Sequence, residues 1–177
     1  MTRLETDRLV LTALREDDFP ALVALYRKPS VMRYIVPGGR AEPESRAILA
    51  RMIEQGRRLG FDGDFVVRTR EGCAVIGTAL LIERTAGASI ELGYAIDEPF
   101  WGKGYAFEAS RALVRHAFET LRLGRLTAVV VEDNEPSVRV LRKLGMRELW
   151  RAADASGVRE IRFALEQSDW AAGPGSR

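Results

Sequence analysis

The sequence predicts an α/β domain built on a mixed, mostly antiparallel sheet, and three observations carry that prediction. Residues 64–70, 74–83 and 89–96 are three strand-like runs in succession, separated by turn signals at Glu71-Gly72 and over residues 84–88, so they read as an antiparallel meander. On either side of it, apolar residues recur at helical spacing: Phe19, Leu22, Val23 and Tyr26 before, and Phe107, Leu113, Val114, Ala117, Phe118 and Leu121 after. Leu126-Thr-Ala-Val-Val-Val131 is a continuous apolar run between two helical patterns, as expected of a strand buried on both faces.

Taken in order, residues 8–14 are β-branched and apolar and form the first expected strand. Glu16, Asp17 and Asp18 supply first-turn acids for the helix of the Phe19 stripe, and Pro29 ends it. Residues 36–39, Val-Pro-Gly-Gly, make a loop. A second helix starts near Pro43, buries Ile48, Leu49, Met52 and Ile53, and frays at Gly56 and Gly60. Arg122 and Gly124 close the helix of the Phe107 stripe. Asn134-Glu-Pro-Ser137 opens a short helix carrying Val138, Leu141 and Leu144, with Gly145 at its C′ position. Residues 148–152 and 158–165 make a closing hairpin around residues 154–157. No repeat or linker interrupts this order, so residues 1–168 are expected as one domain. Residues 169–177 are expected as a flexible tail, disordered from Ala171 onward.

At 177 residues, 46% hydrophobic and 29% charged, the chain is long enough to bury one core. Its 27 Lys and Arg against 25 Asp and Glu are spread along the sequence, and a net charge of +2 argues against a nucleic-acid or membrane partner. The single cysteine, Cys73, has no internal disulfide partner, and one Cys with one His cannot build a Cys/His zinc site, so no metal is expected. The N-terminus has no apolar signal core and no stretch approaches membrane-spanning length. The expectation is a cytoplasmic protein, monomer or homodimer.

Function is read around residues 89–107, SIELGYAIDEPFWGKGYAF. A strand gives way to the turn Asp97-Glu98-Pro99, then to Trp101-Gly102-Lys103-Gly104-Tyr105-Ala106, then to a helix start. This arrangement presents several backbone N–H groups to one anion. Glycines admit the ligand closely and the helix N-terminus adds a partial positive charge, which suits a phosphate or pyrophosphate. The spacing Gly102-x-Gly104-x-Ala106 after an antiparallel meander departs from a dinucleotide fingerprint, and no Gly-Lys-Ser/Thr is present. Alone, the loop is equally compatible with a structural turn. In a second segment, residues 134–146, Asn134 fits a helix N-cap, Pro136 a first turn and Gly145 a C-cap, a description that local structure alone satisfies.

Together and in this order, the two segments resemble the GNAT superfamily of acetyl-CoA-dependent N-acetyltransferases. The family's pyrophosphate loop, Gln/Arg-x-x-Gly-x-Gly/Ala, is matched from Trp101 to Ala106 except at Trp101 itself. The later Asn-x-x-(small)…Lys-x-Gly-Phe segment is matched by Asn134, Ser137, Lys143 and Gly145, with Met146 in place of Phe. The order of expected elements agrees along essentially the whole chain. The opening TDRLVLTAL, the Glu-Leu-Gly-Tyr strand and PFWGKGYA look most like the branch that acetylates N-termini of ribosomal proteins, which also holds enzymes with small-molecule acceptors.

The resemblance implies a sheet with a splay between its fourth and fifth expected strands, residues 89–96 and 126–132. It implies acetyl-CoA as cosubstrate, its pyrophosphate held by backbone amides of Gly102, Lys103, Gly104, Tyr105, Ala106 and Phe107. The pantetheine arm would run beside Tyr94, Ala95 and Ile96, reached from the other side by Asn134, Ser137 and Lys143, with Trp101 bordering it. The implied reaction is acetyl transfer to a primary amine, a protein N-terminus or a small molecule; a non-catalytic acyl-CoA sensor of the same fold is the alternative. Glu91 is the candidate base, with an ordinary strand carboxylate paired to arginine as its other reading. Ser137 is the candidate for assisting thiolate departure, since the tyrosine many members carry four residues later is Leu141 here. His116 is expected to be structural or exposed, and Cys73 is not expected as a nucleophile. Phe100, Trp101 and Tyr105 are expected under the loop, and Arg33, Tyr34 and Trp150 on the acceptor side.

Overall fold

The computed structural model describes residues 2–83, 89–153 and 155–172. The expected turn at 84–88, position 154 of the closing hairpin and the tail from 173 lie outside the described residues. Among those described, β1 (Arg3–Glu5), β2 (Leu9–Ala13), β3 (Asp64–Thr69), β4 (Val75–Ile82), β5 (Glu91–Ile96), β6 (Arg125–Val131), β7 (Arg147–Ala153) and β8 (Arg159–Glu166) form one sheet. Its order is β1-β2-β3-β4-β5-β6-β8-β7. Every neighbouring pair is antiparallel except β5 and β6, which run parallel. The helices are α1 (Phe19–Tyr26), α2 (Pro29–Met32), α3 (Glu42–Leu59), α4 (Tyr105–Arg115), α5 (Glu135–Lys143) and α6 (Gln167–Ala172).

Strand alternation sends the two sets of apolar side chains to opposite faces. Leu9, Leu11, Phe65, Val67, Leu81, Leu92, Leu126 and Phe163 meet Leu113, Val114, Ala117 and Phe118 of α4 and Val138 and Leu141 of α5 in the larger core. On the other face, Phe19, Leu22, Met32 and Leu49 from α1, α2 and α3 close over Val66. Those three helices pack chiefly on β3, β4 and β5, leaving β6, β8 and β7 without a helical cover on that side. Val129 and Val131 are therefore only half-buried, and the expectation of a strand buried on both faces holds for Leu126, Thr127 and Ala128 alone.

Several elements differ from the sequence reading. β1 is a three-residue edge strand of alternating charge, Arg-Leu-Glu, whose only ladder is to β2. Pro29 does follow the end of α1, but it also opens α2, at the first helical position where its missing N–H costs nothing. Gly56 lies inside α3, and Gly60, at φ +74°, is the residue that ends it. Residues 169–172, expected as the start of a tail, are helical: Trp170 is buried, its ring 6.3 Å from that of Phe118, so α6 belongs to the core. Beyond Arg115, α4 continues as a π-helical turn, His116–Thr120. His116 is buried there, edge-on to Phe65 at 5.9 Å, and burial pushes its imidazole pKa down; it is a core side chain.

Candidate active site

The parallel pair is joined at one register position, Glu91 with Thr127, and by the Thr127 N–H donating to the Ile90 carbonyl at 3.0 Å. Past that point the strands separate. β5 stays laddered to β4 as far as Ile96, and β6 to β8 as far as Val131. Two strand edges thus face a widening gap with main-chain donors and acceptors turned into it, a setting for an extended, amide-bearing ligand. Tyr94 spans the gap from β5: its hydroxyl donates to the Ser137 carbonyl of α5 at 3.5 Å. Burial pushes the phenol up to about 12, so it is a neutral donor throughout the physiological range.

At the open end, the β5 lip continues into the glycine loop. Asp97 caps the short turn Glu98–Phe100 by accepting from the Glu98 N–H. The Trp101 indole N–H donates to the Ile96 carbonyl at 2.6 Å, which folds the loop back on the strand end while the ring stays half-exposed. Gly102 and Gly104 have φ of +73° and +81°, left-handed values that only glycine adopts without strain. A Cβ at Gly102 would meet nothing, so the loop is open to a ligand there. The N–H groups of residues 102–107 find no acceptor among the described residues, and those of the first α4 turn have none within the helix. The N-terminus of α4 is thus a setting for an anion.

Arg8, which the sequence reading did not single out, holds this loop in place. Its guanidinium pairs with Glu108 in the first turn of α4, donates to the Lys103 carbonyl at 3.0 Å, and lies 4.5 Å over the Tyr105 ring. Tyr105 in turn contacts Phe100. Thr6 and the Arg8 N–H also donate to Glu108. Those hydrogen bonds outweigh the burial that alone would raise the Glu108 carboxyl, and hold it below its ordinary value. Lys143, from the far end of α5, places its ammonium 4.3 Å over the Phe107 ring, joining the two expected motifs.

The β6 lip ends at Glu132, whose carboxylate is held below its usual range by Arg159 and Arg151. Asn134 follows as the N-cap of α5: its Oδ1 accepts from the Ser137 N–H at 3.3 Å. The cap reading is therefore realised, and it leaves both Nδ2 protons of Asn134 for another partner.

Glu91 lies where the strands join, roughly 10 Å along β5 from Tyr94 and on the opposite face of the sheet. Its carboxylate is buried and paired with Nη2 of Arg162 on β8 at 3.3 Å. The Arg162 guanidinium stands 5.6 Å from the ring of Trp150, exposed on β7. Tyr34 reaches the same side of the sheet; its hydroxyl donates to the Asp133 carbonyl at 3.3 Å, and Arg33 stacks on its ring at 5.1 Å. Cys73 is exposed in the β3–β4 turn, on the far side of β4 from the gap.

The structure thus links Tyr94 to Ser137, Lys143 to Phe107, Trp101 to Ile96 and Asn134 to Ser137. It sets Glu91 apart at the closed end. Arg162, Arg8 and Lys28 had no sequence signal, because their partners are remote in the chain. A mixed sheet parted at its one parallel pair is the arrangement that the resemblance implies. An acetyltransferase (GNAT) domain model matches residues 8–147, and the chain belongs to that family. It is 31% identical over 154 residues to the uncharacterized N-acetyltransferase p20 of Bacillus licheniformis, covering 84% of each chain. Two solved structures share the fold. One is RimL, a ribosomal L7/L12 alpha-N-protein acetyltransferase in complex with coenzyme A, at TM-score 0.80 and 19% identity, covering 93% of this chain and 98% of that one. The other is spermidine N-acetyltransferase from Vibrio cholerae in complex with CoA and spermine, at TM-score 0.78 and 20% identity, covering 94% and 99%.

Proposed function

We propose that the protein transfers an acetyl group from acetyl-CoA to a primary amine, by direct attack of the amine within a ternary complex. The observation that carries this reading is that the glycine loop at the N-terminus of α4 follows directly on β5, the strand that borders the β5–β6 gap. A pyrophosphate fits the loop and an amide-rich arm fits the gap. Gly102, Lys103, Gly104, Tyr105, Ala106 and Phe107 would hold the pyrophosphate, with Trp101 and Lys143 flanking it. Tyr94, Ala95 and Ile96 on one lip and Asn134 and Ser137 on the other would hold the pantetheine. Coenzyme A in the RimL and spermidine N-acetyltransferase structures supports the reading, and no metal enters it.

The acceptor enters from the face carrying Glu91, Arg162, Trp150 and Tyr34, opposite the α4 side. The amine nitrogen bonds to the acetyl carbonyl carbon, the carbon–sulfur bond breaks, and the sulfur leaves as thiolate. Glu91 takes the proton that the amine gives up, through a water, and Ser137 hydrogen-bonds the departing sulfur. Acceptors are amines of the two kinds named in the structural neighbours, a protein N-terminus or a small amine.

Initial rates with both substrates varied test the mechanism. Intersecting reciprocal lines are expected. Parallel lines together with an acetylated protein would overturn it, because Cys73 lies away from the opening and no other thiol exists.

A further inference from the structure

One segment touches both lips of the gap without belonging to either. Lys28 donates to both carboxylate oxygens of Asp97, just past the end of β5, at 2.7 Å. Ser30 donates to Glu98 at 2.8 Å on the same lip. Six residues after Lys28, Tyr34 donates to the carbonyl of Asp133, just past the end of β6 and next to the cap Asn134. Between these anchors, Met32 is fully buried in the core of α1, α2 and α3, so the segment is itself held down. Among the described residues, main-chain pairing joins the two strands only around Ile90, Glu91 and Thr127, and their C-terminal ends have no ladder between them.

We propose that residues 28–34 act as a tie across the mouth of the gap, with Lys28 and Tyr34 as positioning residues for acetyl-CoA binding. This rests on the assignment of the gap to the pantetheine arm. Neither side chain reaches into the opening from the α4 side. Their bonds fix where Asp97 starts the glycine loop and where Asp133 delivers Asn134. With the tie intact, the gap is held near its bound width before the ligand arrives, and binding does not have to order the lips. A tie with two ends has a testable property: cutting either end releases the whole. Two independent surface contacts would instead act additively.

The experiment is a double-mutant cycle on CoA affinity, measured by calorimetry on the full chain with Lys28→Met, Tyr34→Phe and both together. Lys28→Met keeps the apolar stem and Tyr34→Phe removes one hydroxyl, and the melting midpoint of each is recorded alongside. Each single variant is expected to weaken CoA binding about fivefold, and the double variant no more than either single. Lys28→Arg, which restores a pair with Asp97, should recover most of the affinity. Single variants that bind CoA like the wild type, or a double variant whose loss is the product of the two, would overturn the tie while leaving the assignment of the gap standing. Wild-type protein that binds no CoA would overturn both. If Lys28→Met melts before it can be titrated, Tyr34→Phe alone decides: unchanged affinity overturns the tie, and a fivefold loss with an unchanged melting midpoint supports it.

Discussion

The hydroxyl of Tyr94 on β5 lies 3.5 Å from the backbone carbonyl of Ser137 on α5, a side-chain link across the parting of the two parallel strands. It joins the strand that leads to the glycine loop with the helix that carries Asn134. Because burial raises the phenol to about 12, the link does not titrate between neutral pH and pH 10. Tyr94→Phe is expected to raise the Michaelis constant for acetyl-CoA while leaving the shape of the pH–rate profile unchanged. At 3.5 Å the bond is long, so the stability cost stays at or below about 1 kcal/mol by denaturant titration. A changed alkaline limb in the variant would make the phenol a titrating participant instead.

Gly104 combines a left-handed backbone with proximity to the Arg8 guanidinium, whose Nη2 would lie 3.5 Å from an added Cβ. Gly104→Val should therefore lower the melting temperature as well as weaken CoA binding, the latter by more than about tenfold. Gly102→Ala separates the two effects. Its Cβ meets nothing, so only backbone strain of about 1–2 kcal/mol disturbs the unliganded protein. CoA affinity should still fall, because the open space at Gly102 is the proposed approach of the anion. Unchanged affinity in a folded Gly102→Ala protein would move the pyrophosphate elsewhere.

Asn134 uses its oxygen for the α5 cap and keeps its amide protons free. Asn134→Asp retains the cap and adds a charge that the helix N-terminus favours, so stability should hold within about 0.5 kcal/mol. The Michaelis constant for acetyl-CoA should nevertheless rise, because two donors are lost. Equal constants in variant and wild type would reduce Asn134 to a cap.

Away from the opening, Asp64 sits at the start of β3 under α3, with Oδ1 buried and no hydrogen-bond partner among the described residues. Burial pushes its carboxyl up from 3.8 to about 7. The folded state therefore keeps a proton that the unfolded chain releases. The stability this contributes is fully present below the unfolded value and lost as pH rises through about 7, a change on the order of 4 kcal/mol. Asp64→Asn should melt above wild type at pH 8 and approach it at pH 5. Parallel stability curves for the two proteins would contradict this.

Much of this architecture is legible in the chain because its cause is local. Turn residues mark the β3–β4 hairpin, a 3.6-residue period marks α1 and α4, and Asn134, Pro136 and Gly145 mark both ends of α5. The glycine loop is legible for the same reason, since Gly102 and Gly104 are required by backbone angles. The relationships that position chemistry are not local. Glu91 meets Arg162 across 71 positions, Lys28 meets Asp97 across 69, and Arg8 meets Glu108 across 100. Nothing in the neighbourhood of an arginine announces such a partner. α6 has no comparable local signal, because Trp170 is buried against remote residues such as Phe118 on the π-helical turn.

The pairing of Glu91 with Arg162 bears on its proposed role as base. A group that deprotonates the acceptor matters most when the amine arrives protonated, so Glu91→Gln should lose most at low pH and recover part of the deficit as pH rises. Ser137→Ala, acting after attack, should show a smaller loss that is nearly constant with pH. The full effect of either role is bounded at roughly 10²–10⁴-fold. Parallel profiles for Glu91→Gln and wild type would leave Glu91 as a structural partner of Arg162, with the amine delivered already neutral.

The central claim is that the parted strands hold acetyl-CoA for transfer to an amine. Its most direct test incubates the wild-type protein with acetyl-CoA and a panel of amines, peptides with free N-termini alongside polyamines and amino sugars. Free thiol release is followed in parallel with mass spectrometry of each amine. The account predicts that at least one amine gains an acetyl group in step with thiol release, and that Gly104→Val abolishes both. Tight CoA binding with no acetylated amine across the panel would contradict it, and would make the protein an acyl-CoA sensor of this fold.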